Sequence, residues 1–144
     1  MNKYLIIIIL MVVIIGSGVF YRNFLLPESS VPVSTGVIRE ITIIAKKDDW
    51  RFIPEIFEVD RGDTIIATVI NEDSYDHGIA IDALGISQRM PANSTIRIKL
   101  DATQAGDFPF YCSVPCGEGD TPMGHRTHFD MIGTITVKDL VKTE

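Results

Sequence analysis

From residue 37 onward, apolar positions recur in short β-branched runs separated by turn residues. The runs are Val37 to Ala45, Ile56 to Val59 after Pro54, and Thr64 to Asn71 after the turn Arg61-Gly62-Asp63. Gly78 to Ile81, Thr95 to Leu100, Phe108 to Cys112 after Gly106, and Ile132 to Val137 complete the set. Within Thr95 to Leu100, Ile96, Ile98 and Leu100 alternate with Thr95, Arg97 and Lys99, the two-residue period of a half-buried strand. No stretch here sustains a helical period. Seven or so short strands at this spacing predict an all-β protein, an antiparallel β-sandwich with Greek-key connections.

The N-terminus has a different pattern. Tyr4 to Tyr21 carries no charge. Its eighteen residues, at a rise of about 1.5 Å each, reach about 27 Å as a helix, close to the thickness of a bilayer core. One membrane-spanning helix is the preferred reading, because apolar residues continue through Val19 and Phe20 and, past Arg22, from Phe24 to Leu26. A cleaved signal peptide is the alternative: Lys3 precedes the apolar core, and Gly16, Ser17 and Gly18 supply small residues. A short N-terminal tail kept in the cytoplasm would make this a single-pass protein of the cell membrane, its folded domain on the extracytoplasmic side. Pro27 to Gly36, polar with two prolines, reads as a linker. The expected organisation is therefore an anchor or signal peptide over 1–26, a linker over 27–36 and a folded domain over 37–144.

Charge narrows the partners. The chain has 13 basic and 19 acidic residues, a formal charge of −6. Two of the basic residues, Lys3 and Arg22, precede Pro27, so the remainder carries 11 basic against 19 acidic, or −8. Nucleic acid is an unsuitable partner for such a domain, and a cationic one suits it. The clusters Asp48, Asp49, Glu55, Glu58, Asp60, Asp63 and Glu72, Asp73, Asp76 read individually as solvated faces.

Candidate chemistry concentrates between Phe108 and Val137. This stretch holds both cysteines, Cys112 and Cys116, two of the three histidines, His125 and His128, and Met123 and Met131 among five methionines. Thiolate and thioether beside imidazole is a donor mixture that selects copper over hard cations. Two thiolates four positions apart can turn to one point and bridge two ions, whereas a mononuclear blue-copper site uses one Cys, two His and a weak Met. A structural disulfide is the competing reading for an exported domain. It would close a small loop and leave the neighbouring His and Met without a role.

Cys112-Ser-Val-Pro-Cys116-Gly followed by His128-Phe-Asp-Met131 and a strand resembles the dinuclear CuA loop of cytochrome c oxidase subunit II and nitrous oxide reductase, C-x3-C-x3-H-x2-M. Here Asp120 to Thr127 intervene. Strict counting from Cys116 reaches Asp120 and Met123, and a carboxylate substitutes poorly for imidazole at copper thiolate. His125 loses the two-residue spacing to either methionine. His128 with Met131 keeps that spacing and the junction with the last strand, and is preferred. The distal His77 sits in Ser74 to Ile86, which is similar to the first-histidine segment of the same family.

The resemblance implies a cupredoxin-like fold over about Ile41 to Val137. It implies a CuA pair of copper ions bridged by Cys112 and Cys116, with His77 and His128 each on one ion and Met131 and the Val114 carbonyl as weak ligands. A single apolar span, and Val114 where longer subunits often have Glu, resemble the short subunit II of B-type haem-copper oxidases. The implied role is one-electron transfer, from cytochrome c or a similar small redox protein to haem-copper subunit I. A free-standing membrane-tethered carrier or a copper-handling protein is the alternative. No bond-making active site is expected in this chain. Trp50 reads either as an aromatic near the docking face or as a residue packed at the sandwich edge, with Phe52 and Phe57 in the core. Met90 reads as packed or exposed.

Overall fold

The structure, a computed structural model, describes residues 2–25 and 35–139. The chain divides into two compact units, Met1–Pro32 and Val33–Glu144. Most of the expected linker, residues 27–34, lies outside the described residues.

In the first unit, helix α1 spans Lys3–Phe20 and continues as a π-helical turn over Tyr21–Leu25. Asn2 caps it, its side chain accepting from the Tyr4 N–H at 3.2 Å. None of its residues is buried against protein. The stretch Lys3–Leu25 is long and apolar enough to cross a membrane, a property that signal sequences share.

The second unit contains eleven strands among its described residues. They are β1 (Ile38–Ala45), β2 (Phe52–Ile53), β3 (Ile56–Asp60), β4 (Thr64–Asn71), β5 (His77–Ile81), β6 (Ile86–Met90), β7 (Thr95–Asp101), β8 (Gly106–Tyr111), β9 (Glu118–Thr121), β10 (Gly124–Thr127) and β11 (Ile132–Lys138). One sheet has the order β2-β1-β4-β7 and the other β3-β11-β8-β5-β6, while β9 and β10 form a separate hairpin. The all-β sandwich expected from the hydropathy pattern is the fold.

Alternation decides which face of each strand turns inward. Along β4, Ile65, Ala67, Val69 and Asn71 are buried while the intervening residues are partly exposed. Ile98 and Leu100 of β7 face the same interior. Phe52 and Phe110 meet at 5.4 Å between ring centres, with Phe57 at 6.0 Å from Phe110. Met90, fully buried, belongs to this core. Each such side chain contributes on the order of 1.5–3 kcal/mol by leaving water.

The sheets are mixed rather than wholly antiparallel. β1 runs parallel to β4, and β3 runs parallel to β11. Parallel neighbours need a crossover. Here β2 stays in the first sheet and β3 enters the second, so the chain changes sheets at Pro54-Glu55.

Four strands carry no hydropathy signal of their own. β2 has only two residues. β6 is a sheet edge with Ser87, Gln88 and Arg89 exposed. β9 and β10, the polar hairpin, include most of Asp120 to Thr127 and extend that insertion back to Glu118.

Candidate metal centre

Three segments converge at one end of the sandwich. β5 begins at His77, the β8–β9 loop carries Cys112 to Cys116, and a short 3₁₀ turn over His128–Asp130 leads through Met131 into β11. The turn is locked by a capping box: Thr127 Oγ1 accepts from the Phe129 N–H, and Asp130 accepts from the Thr127 N–H at 2.6 Å. The His128 N–H donates to the Gly117 carbonyl at 2.8 Å, closing the neck of the β9–β10 hairpin. His128 is thereby returned beside Cys116, although eleven residues separate them in the chain.

The donor atoms face one another. Cys112 Sγ lies 3.7 Å from Cys116 Sγ and 3.7 Å from His77 Nδ1. Cys116 Sγ lies 3.5 Å from His128 Nδ1 and 3.6 Å from Met131 Sδ. The Val114 carbonyl oxygen is 3.2 Å from Cys112 Sγ. The ligand atoms of His77, Cys112 and Cys116 all fall within 4.8 Å of one another. Both cysteines are free thiols, since a disulfide needs sulfurs about 2.05 Å apart. All six residues named from the sequence are therefore in one cluster.

The rejected candidates stand elsewhere. His125 is on the exposed hairpin, its Nδ1 3.0 Å from Asp120 Oδ1 and its Nε2 3.8 Å from Glu118 Oε2. Met123 is exposed at the hairpin turn, its sulfur accepting from Arg51 Nη1 at 3.5 Å.

The electrostatics make Cys112 the readier thiolate. The hydrogen bond from the Cys116 thiol holds its pKa far below the ordinary range, and His77 and the Gly78 N–H outweigh burial with it. Cys116 is pushed up correspondingly, by donating that bond, by burial and by the charge on Cys112. Burial alone would lower the pKa of His77, but its hydrogen bonds to Cys112 and Asp73 raise it.

Residues around the cluster were less legible. Asp73, fully buried, receives His77 Nε2 at 2.7 Å, which leaves Nδ1 as the donor nitrogen facing the sulfurs. Its only signal was a carboxylate four positions before a histidine. Gly78 places its N–H 3.4 Å from Cys112 Sγ, and a Cβ there would come 2.3 Å from Ser113 Oγ. Trp50 is 8% exposed, stacks against Tyr75 at 6.3 Å and donates from Nε1 to the Cys116 carbonyl at 3.1 Å. It is a packed residue beside the centre. His128 is half-buried and borders two surface recesses, with Phe129 80% exposed, Ile132 exposed and Tyr111 at the rim.

A two-sheet sandwich with sulfur and imidazole donors gathered at one end defines a class, and the comparisons agree with it. The cupredoxin-like domain profile matches residues 24–121, and the chain belongs to that family. The match stops within the hairpin, before His128 and Met131. Plastocyanin of Vicia faba is 29% identical over 110 residues, which cover 68% of this chain and 98% of plastocyanin. Among solved structures, auracyanin A of Chloroflexus aurantiacus, a blue copper protein, superposes with a TM-score of 0.56 at 17% identity, over 70% of this chain and 99% of its own. A chain of a haem-copper terminal oxidase dimer superposes with a TM-score of 0.57 at 14% identity, covering 94% of this chain and 96% of that one.

Proposed function

We propose that this chain is a membrane-anchored CuA domain that carries single electrons, as subunit II of a haem-copper oxidase. One observation supports a dinuclear centre above the others. Each cysteine sulfur has its own imidazole nitrogen, His77 at 3.7 Å from Cys112 and His128 at 3.5 Å from Cys116, while the two sulfurs lie 3.7 Å apart. Two thiolates, two imidazoles, a thioether and a carbonyl suit soft, borderline copper. Copper, when bound, supplies a reversible one-electron change.

The chain's own residues do the rest. Cys112 and Cys116 would bridge the ions, His77 and His128 would bind one each, and Met131 and the Val114 carbonyl would complete the set. The strands flanking the loop hold these donors before metal arrives, which keeps rearrangement small when charge changes. His128, half-buried between the exposed Phe129 and Ile132, offers the route to a docked partner. The excess of acidic residues suits a cationic donor such as cytochrome c or another small redox protein. The acceptor would be the haem-copper subunit. Helix α1 would hold the domain at the outer face of the membrane.

A free-standing carrier is the second reading, favoured by the near-complete coverage of plastocyanin and auracyanin A. Copper content and electron paramagnetic resonance on the full chain in detergent test the centre. Two coppers per chain and one electron shared equally by both nuclei are expected. A single copper with mononuclear coupling would overturn the dinuclear assignment. Co-purification with a multi-span haem protein separates an oxidase subunit from a carrier.

A further inference from the structure

The turn between β1 and β2, Lys46 to Arg51, contacts both halves of the centre without supplying a ligand. The Asp48 N–H donates to Asp73 Oδ1 at 2.8 Å, and the other oxygen of Asp73 holds His77 Nε2 at 2.7 Å. Two residues on, Trp50 Nε1 donates to the Cys116 carbonyl at 3.1 Å. That peptide leads into Gly117, whose carbonyl accepts from the His128 N–H at 2.8 Å. One half of the cluster, Cys112 with His77, is thus tied to the turn through Asp73. The other half, Cys116 with His128, is tied to it through Trp50.

The turn is built to hold this shape. Asp48 and Trp50 both lie in the left-handed region, at φ 52° and 43°. For tryptophan that is an unfavourable conformation, kept only where its surroundings over-determine it. Here they do: the indole is buried, stacked on Tyr75 and hydrogen-bonded. It also lies against the hairpin, since a Cβ on Gly119 would come 2.4 Å from the ring. The Lys46 N–H to Arg51 carbonyl bond, 3.0 Å, closes the turn, and Lys46 Nζ to Glu72 at 2.9 Å ties it to the segment carrying Asp73.

We infer that this turn is the outer frame of the centre, and that Trp50 and Asp73 are positioning residues setting the geometry of its two halves together. The inference rests on the copper reading above, but it makes a claim about the empty protein as well. Removing the Trp50 N–H lets the Cys116–Gly117 peptide rotate and carries Cys116 and His128 with it. Removing the carboxylate of Asp73 frees the ring of His77. Because one turn supports both contacts, their losses are coupled.

The test uses the full chain in detergent, with copper as the only added ligand. Trp50→Phe keeps the stacked ring and loses the N–H. It should bind the same number of coppers with roughly 10- to 100-fold weaker affinity, a shifted reduction potential and unequal coupling to the two nuclei. Asp73→Asn should weaken binding similarly. The double variant should lose less than the product of the two single losses. Without metal, Cys116 of Trp50→Phe should be alkylated faster than in the wild type. Gly119→Ala, which displaces the ring without removing the indole N–H from the side chain, gives a second route and should move affinity and potential the same way. Folded Trp50→Phe with unchanged affinity, potential, coupling and alkylation rate would overturn the inference. Strictly multiplicative losses in the double variant would overturn the shared frame. A wild type that binds no copper would refute the copper reading instead, and the alkylation rate would still decide the frame.

Discussion

Gly78→Ala probes the point where β5 touches the cysteine loop. The new Cβ would lie 2.3 Å from Ser113 Oγ, 3.0 Å from Val114 Cγ2 and 3.2 Å from Val114 N. Ser113 is exposed and its hydroxyl can rotate away, but the Val114 backbone has to yield by a few tenths of an ångström. Overpacking of this kind costs about 1–3 kcal/mol, and the reduced freedom of the unfolded chain returns about 0.4–1 kcal/mol. A net destabilisation of about 0.5–2 kcal/mol is expected in urea unfolding. The same displacement lengthens the Gly78 N–H to Cys112 Sγ contact, now 3.4 Å. A hydrogen bond to a charged group is worth roughly 1.5–3 kcal/mol, so weakening it substantially removes about 1 kcal/mol. That bond favours the electron-rich reduced state, so its weakening should lower the potential. For a one-electron couple 1.4 kcal/mol corresponds to about 59 mV, which makes the expected drop about 40 mV. Protein-film voltammetry of the copper-loaded full chain reads it directly. An unchanged potential with intact copper content would refute the role given to this N–H.

The remaining outcomes concern the hairpin, the core and the choice of histidine. His128→Ala should abolish the dinuclear paramagnetic signal and His125→Ala should spare it, because of these two His128 is the one that reaches a cysteine sulfur, at 3.5 Å; the reverse result would exchange their roles. Gly133→Ala should destabilise the domain by about 1–3 kcal/mol in urea, since its Cβ would come 2.1 Å from Phe110 Cζ and 2.6 Å from the Glu55 carbonyl. His125 has its pKa raised above 6.5, first by the hydrogen bond to Asp120 and, against desolvation, by Glu118. Its contribution to the hairpin is therefore fully present below the unfolded value and fades as pH rises through the folded one. An NMR titration should find its midpoint above 6.5 and Asp120→Asn should lower it; an unmoved midpoint would rule out that contact.

How much of this protein could be read in advance depends on the range of the interaction. Strands such as β4 and β7 were legible, because a β-branched run bounded by turn residues, and in β7 a two-residue apolar period as well, are local properties. The edge strand β6 was not, since three exposed polar residues in a row carry no such period and only pairing with β5 makes them a strand. The polar hairpin was legible only as an insertion. Its Thr121-Pro122-Met123-Gly124 turn, with Gly124 at φ 114°, was the available sign.

Along the chain, the types and spacing of Cys112, Cys116, His128 and Met131 were enough to mark a candidate soft-metal donor set, because ligand chemistry belongs to the residues themselves. Apolar length at the N-terminus was likewise enough for a helix able to span a bilayer. Tertiary structure alone decided that Asp73 orients His77, that Trp50 grips the Cys116 carbonyl across 66 positions, and that the hairpin neck returns His128 to the cysteines. Those contacts join different strands and loops, and no local periodicity encodes which distant segment will lie beside which. The packing of two mixed sheets does.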